Sequence, residues 1–409
     1  MNAVKLGDIC NFYNGGAWSQ NEFTEAGYPV LKVSNCKSNG FEISDVSYIP
    51  YDIAQKSKIN KLQIDDVIIA TVGSHPNLVE SAAGRSCVVT TAVVGFYLNQ
   101  NAVCLRSKDP NVFSQKYLGY LAASAPFKHY IQSRGKGAAN QMRIAISAIK
   151  DFSFVLPDIE VQKAVGTILS AYDDLIENNQ KQIKLLEEAV QRLYKEWFVD
   201  LRFPGHENVK IVDGVPEGWH YCVLDDVITF NPKVQLSKER IKQNVPMSAL
   251  SISSMVLDTT EFGETISNSG SKFQNGDTLL ARITPCLENG KTAFVSELYS
   301  AEGAVGSTEF IVMRSLGINP YMVYLLARTD DFRKNAINSM TGSDGRQRAQ
   351  VDKLKALPYL KPADSVMELF GEYVGPMFAQ IQVKNKQNIK LVEIRDRLLS
   401  KLMSGEIEV

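Results

Sequence analysis

The 409-residue chain has no run of about 18 apolar residues and no charged-then-apolar leader, so neither a membrane span nor a secretory signal is expected. Its six cysteines (10, 36, 87, 104, 222 and 286) are scattered and form no CxxC, which argues against a zinc site or a disulfide framework and for a reducing cytoplasm. The four histidines (75, 129, 206 and 220) show no HExxH spacing. Excess positive charge is missing too. The net charge is −1, so any nucleic-acid binding must rely on local basic loops or on partners.

Catalytic constellations are equally scarce. Gly290-Lys291-Thr292 resembles the end of a phosphate-binding loop, but Pro285 stands where the upstream glycine is needed, so the amides cannot wrap a phosphate. Asn319-Pro320-Tyr321 lacks the second proline of an adenine-methyltransferase signature and reads better as a helix start. Pro157-Asp158 also suits a helix start, where proline and an acidic residue are both favoured. No metal or cofactor is expected on this chain, and no covalent chemistry.

What the chain does contain is a repeat, with copies about 205 to 218 residues apart. Asn179–Glu187 (NQKQIKLLE) is echoed by Asn385–Glu393 (NKQNIKLVE), and Leu6–Ile9 by Leu224–Val227. Asp66–Ala70 is echoed by Asp277–Ala281, and the glycine-bearing segment Gly135–Arg143 by Gly342–Arg348. The length suits two domains, and 44% hydrophobic with 22% charged residues suits globular ones. The order is module, helix, module, helix: 1–155, 156–203, 204–360 and 361–409.

Short β-like runs bounded by turn residues fill the modules: Val30–Val33, Val67–Val72, Cys87–Val94 and Ala102–Arg106, then Thr278–Ile283, Lys291–Val295 and Phe310–Arg314. One helix per module is predicted over Ser114–Tyr130 and Pro320–Asn335. A mixed α/β fold follows.

After each module the apolar period lengthens to about 3.5, the spacing of a coiled-coil seam. The first seam runs through Leu169, Tyr172, Ile176, Asn179, Ile183 and Leu186, and the second through Ile381, Asn385, Ile389 and Val392. Forty helical residues would extend about 60 Å, too far for one small module, so a coiled coil between the two helices is expected. A seam asparagine, Asn179 or Asn385, costs stability but fixes register. Pro376 is expected to kink the second helix.

The binding candidates lie on loops at matching places. The first module offers Ser74, His75, Asn77, Lys136, Asn140, Gln141 and Arg143, and the second Arg282, Thr284, Lys291, Arg346, Gln347 and Arg348. Arg and Lys suit guanine edges or phosphate, Asn and Gln suit adenine, and glycine permits close backbone approach.

Three stretches carry a family likeness: Leu156-Pro157 with Gln162 and Thr167–Asn179; Leu193–Glu207 (LYKEWFVDLRFPGHE); and Val215-Pro216-Glu217-Gly218-Trp219 ahead of Leu224–Val227. With these the whole chain resembles the specificity subunit of bacterial or archaeal type I restriction–modification enzymes. The resemblance implies a non-catalytic, cytoplasmic subunit whose two target-recognition domains each read half of a split sequence in double-stranded DNA. It implies two long helices in an antiparallel coiled coil that set the gap and dock two methyltransferase subunits. Those partners would bring S-adenosylmethionine and flip an adenine for N6-methylation. Restriction (motor–nuclease) subunits would use ATP and Mg2+. The second helical region has no counterpart of Gln162, which bears on how symmetrically partners dock. Two other readings stay open: the recognition part of a type IIG or IIB-like nuclease–methyltransferase system, and a helical scaffold without a DNA role.

Overall fold

A computed structural model describes residues 3–37, 40–43, 45–56, 61–73, 83–138, 141–343 and 345–409, with the side chains of 55, 56, 138 and 141 outside the description. The chain divides into two units, Met1–Asp174 with Leu391–Val409, and Leu175–Lys390. Each therefore contains one globular module, part of the first long helix and part of the second. The fold is mixed α/β.

Both units are built on the same four-stranded antiparallel sheet. In the first, the strand order is Cys10–Asn14, Ala102–Ser107, Val67–Ala70, Ser86–Val88. In the second it is Ile228–Phe230, Phe310–Ser315, Thr278–Ala281, Thr292–Phe294. The central strands Val67–Ala70 and Thr278–Ala281 are buried throughout. Their apolar runs do not alternate with polar residues because both faces are covered. Val67 and Ile69 enter the core beneath the helices, while Ile68 enters a second core on the opposite face. Leu280 and Leu279 divide in the same way.

One buried ion pair repeats with the sheet. Asp66, 1% exposed, accepts from Arg106 Nε and Nη2 at 2.7 and 2.6 Å and from the Gln63 amide at 2.7 Å. Asp277, also 1% exposed, accepts from Arg314 at 2.7 and 2.7 Å and from the Gln274 amide at 2.8 Å. Each module is further closed by pairing its first strand with its last: Ala3–Lys5 with Ser153–Val155, and His220–Val223 with Pro358–Lys361.

The helix expected over Ser114–Tyr130 is two, Gln115–Ala123 and Ala125–Ser133. Ser124 adopts an extended backbone between them, and its hydroxyl accepts the Phe127 amide as an N-cap while Pro126 starts the next turn. The helix expected over Pro320–Asn335 breaks likewise into Pro320–Ala327 and Asp330–Asn338, with Thr329 capping the second. The strand expected over Cys87–Val94 is shorter, Ser86–Val88, because a turn follows.

The long helices run from Ile159 to Tyr194, followed by a π-helical turn over Lys195–Val199, and from Asp364 to Ser404. The second continues as helix through Pro376. Their segments pair antiparallel in each unit. In the first, Val165 and Leu169 share a core with Leu402, and Asp173 accepts from Arg395 at 2.8 Å and from the Tyr120 hydroxyl at 2.6 Å. In the second, Ile183, Val190 and Trp197 share a core with Phe370, Val374 and Ile381.

The second seam shifts relative to the sequence reading. Asn179 Nδ2 donates to Asn388 Oδ1 at 3.0 Å, and it is Asn388, 9% exposed, that is buried. Asn385 and Ile389 are half-buried and Val392 is exposed. Of the remaining seam candidates, Leu169, Ile176, Ile183 and Ile381 are buried, and Tyr172 and Leu186 half-buried. Seven residues separate Ile381 from Asn388, so the heptad is kept with the polar residue one turn later than Asn385.

Replacing Asn179 alone by Leu strands Asn388, an expected loss of about 1–3 kcal/mol. N179L/N388L should recover that loss or exceed the parent, since both polar groups leave the seam together. Urea denaturation of the full-length chain reads both, and a double variant no more stable than the single one would show that the pair is not coupled.

Candidate nucleic-acid interface

In the first unit the chain leaves Val67–Ala70 through Thr71 into a second short strand, Val72–Gly73. That strand pairs with Gln141–Arg143, which pairs in turn with Lys136–Ala138. Two loops that the sequence presents separately thus form one three-stranded sheet. Gly135 leaves room for the Met142 side chain, whose methyl carbon lies 1.5 Å from where a Cβ would be.

Lys136 and Arg143 stand directly opposite each other in this sheet, and both are exposed. Cross-strand neighbours share a face, and like charges placed so repel. No carboxylate among the described residues relieves them. Two facing cations on an exposed sheet form a place for an anion. Gln141 is in the strand by its backbone, its side chain being outside the description, and Ser74, His75, Asn77 and Asn140 lie outside the described residues.

The second unit joins its loops by the same hydrogen bonds. The Ala349 amide donates to the Arg282 carbonyl at 2.8 Å, as Ile144 does to Thr71 at 2.8 Å. Ile283 and Arg348 form a β-bridge where Val72 pairs with Arg143, and the Thr284 amide donates to the Gln347 carbonyl at 3.1 Å. The loop frame is therefore one design used twice, carrying different side chains.

Those side chains have different surroundings. Arg348 donates from Nε and Nη2 to Glu309, with contacts of 2.9 and 2.7 Å, so this arginine is held by a carboxylate where Arg143 is not. Its hydrogen bonds keep the Glu309 carboxyl below the usual carboxylate range. Arg282 reaches the same carboxylate at 3.7 Å, but its buried Nε has no hydrogen-bond partner. Lys291 is turned inward, donating to the Met247 carbonyl at 3.0 Å, an internal tie that its sequence position does not reveal. Thr284 is half-buried, and its Oγ1 is buried without a partner. Arg346 is exposed and Gln347 half-buried. Glu309 escaped the sequence reading because only strand pairing brings it to Arg348. Among the described residues no group of three His, Cys, Asp or Glu is placed to hold a metal, and no described helix is long and apolar enough to cross a membrane.

Comparison with known proteins agrees with this architecture. Residues 1–188 match the model of a family described as "Type I restriction modification DNA specificity domain". The MjaIX specificity subunit of Methanocaldococcus jannaschii is 26% identical over 314 residues, covering 72% of this chain and 69% of the relative. The MjaVIII specificity subunit of the same organism is 22% identical, over 99% of this chain and 92% of the relative. The EcoAI specificity subunit of Escherichia coli is 32% identical over 141 residues, covering 33% of this chain and 23% of the relative. The crystal structure of the type I restriction–modification system S subunit from M. genitalium superposes with a TM-score of 0.59 at 16% identity, over 98% of this chain and 95% of that one, which establishes the shared fold. With its twice-used loop frame and its antiparallel helix segments, the chain is similar along its length to type I restriction enzyme specificity subunits, and its first 188 residues match their DNA specificity domain.

Proposed function

We propose that this subunit reads a bipartite double-stranded DNA target, one half-site through residues 1–155 and the other through 204–360. The long-helix regions 156–203 and 361–409 set the gap between half-sites and dock two methyltransferase subunits, and through them restriction subunits. The chain itself does no chemistry. S-adenosylmethionine, ATP and Mg2+ act on the partners, in the cytoplasm of a bacterial or archaeal host.

The observation that carries this reading is the repeated loop frame, in which Val72-Gly73 beside Arg143 is replaced by Ile283-Thr284 beside Arg348. A shared scaffold with unlike side chains suits two readers of unlike half-sites, because base edges specify and backbone contacts position. Each reader alone would discriminate weakly. Linking them makes the second contact intramolecular and multiplies the selectivity.

The gap is the direct test of the helices' role. Four residues, about one turn, inserted in the first long helix should lengthen the non-specific gap and leave both half-sites unchanged. Methylome sequencing of cells carrying the variant with its methyltransferase partner reads the result, and an unchanged gap would remove the helices from that role.

A further inference from the structure

The second module carries a basic groove away from its glycine loop. A cavity of about 480 Å3 opens between Asn231–Val234, Gly270–Lys272 and the strand from Phe310, and its lining includes Lys233, Lys272 and Arg282 but no carboxylate. Lys233 and Lys272 have no ion-pair partner among the described residues. Glu309, between the lining residues Thr308 and Phe310, is engaged by the two-pronged contact from Arg348 and reaches Arg282 only at 3.7 Å, so one carboxylate faces two arginines. The local balance is strongly positive in a chain of net charge −1. A concave surface with cations of one sign concentrates a polyanion beyond what scattered surface lysines achieve.

Among the described residues of the first module, the matched positions do not repeat this set of cations. With Arg106 matched to Arg314 and Asp66 to Asp277, strand register places Thr71 and Asn101 where Arg282 and Glu309 stand. Lys61 occupies the place of Lys272, but its ammonium lies over the Tyr28 ring at 4.1 Å from the centroid.

Resting on the proposed DNA reading, we infer that Lys233, Lys272 and Arg282 form a DNA-backbone clamp confined to the second module, contacting phosphates beside the half-site that this module reads. Phosphate contacts position a protein without carrying sequence information, whereas each releases counterions and steepens the salt dependence of binding. The two half-sites are consequently held by different physics. The second contributes more salt-sensitive affinity than the first.

The test uses the full-length chain complexed with its methyltransferase partner and a duplex bearing the methylated split motif. The slope of log affinity against log salt for K233Q/K272Q/R282Q should be shallower than for the parent by about 0.9 per lost contact, between 2 and 3 in all. The recognised bases should not change, and R282K, which keeps the charge, should retain the parental slope. Matching thermal melts of parent and variants establish that the fold is retained. A parent that binds specifically beside a triple variant of unchanged slope would overturn the clamp and leave the DNA reading standing. An altered second half-site would overturn it as well, by making these side chains base readers. Saturable binding of a nucleoside monophosphate that requires the same three residues would reassign the groove to a small phosphate ligand. A parent complex with no sequence preference would instead sink the underlying reading.

Discussion

Exchanging residues 1–155 for the matching module of a relative with a different target changes one half of the methylated motif and leaves the other half and the gap as they were. The expectation rests on how completely each module closes on itself. Its first and last strands pair, Ala3–Lys5 with Ser153–Val155 and His220–Val223 with Pro358–Lys361, so each module enters and leaves at one place. Its loop frame is bonded within the module, and its sheet carries a core that the long helices complete at Val165, Leu169 and Leu402. The effect should be close to all-or-none at the exchanged half-site, because each wrong base pair costs about 1–3 kcal/mol and the penalties add across a half-site. Methylome sequencing of host DNA reads it. Simultaneous change of both halves would refute independent readers.

Replacing Asp277 by Ala should lower stability by about 3 kcal/mol, the low end for breaking a buried pair, because Arg314 keeps 30% of its side-chain surface exposed and can rehydrate. The carboxylate accepts three hydrogen bonds, from Arg314 Nε, Arg314 Nη2 and the Gln274 amide, and no water-facing surface remains to replace them. At about 2–4 °C per kcal/mol, the melting transition of the second unit should fall by roughly 10 °C. D277L/R314M removes both charges and should recover much of the loss, since two apolar side chains leave no unpaired ion. Calorimetry of the full-length chain measures both variants. An Asp277→Ala variant that melts with the parent would show that the pair does not hold the strands.

The repeat, three of the four strands in each module's main sheet and the long helices were legible because they rest on local patterns: apolar period, turn residues and matched segments. Where the reading missed, the deciding contact lies far along the chain. Asp66 and Asp277 stood out as matched positions, but their arginine partners are 40 and 37 residues away and are identified only by strand pairing. Asn385 was chosen by alignment with Asn179, whereas an antiparallel partner is set by the facing helix, which presents Asn388. The helix breaks at Ser124 and Thr329 could have been read. Each is a capping residue, followed by Ala-Pro or Asp-Asp, yet the apolar period running on through Leu121, Phe127 and Ile131 concealed the first. The sites were legible as loops rather than as chemistry. Lys291 and Arg348 look alike in sequence to the exposed Arg346, and only their partners, the Met247 carbonyl and Glu309, separate internal ties from exposed cations.

The most direct measurement of the central claim is N6-methyladenine sequencing of host DNA after co-expressing this chain with the proposed methyltransferase partner, against that partner alone. Two-module recognition predicts a new split motif with a fixed gap, present only when the subunit is present. A methyltransferase that copurifies with the subunit and is competent to methylate, yet marks no such motif, would contradict it.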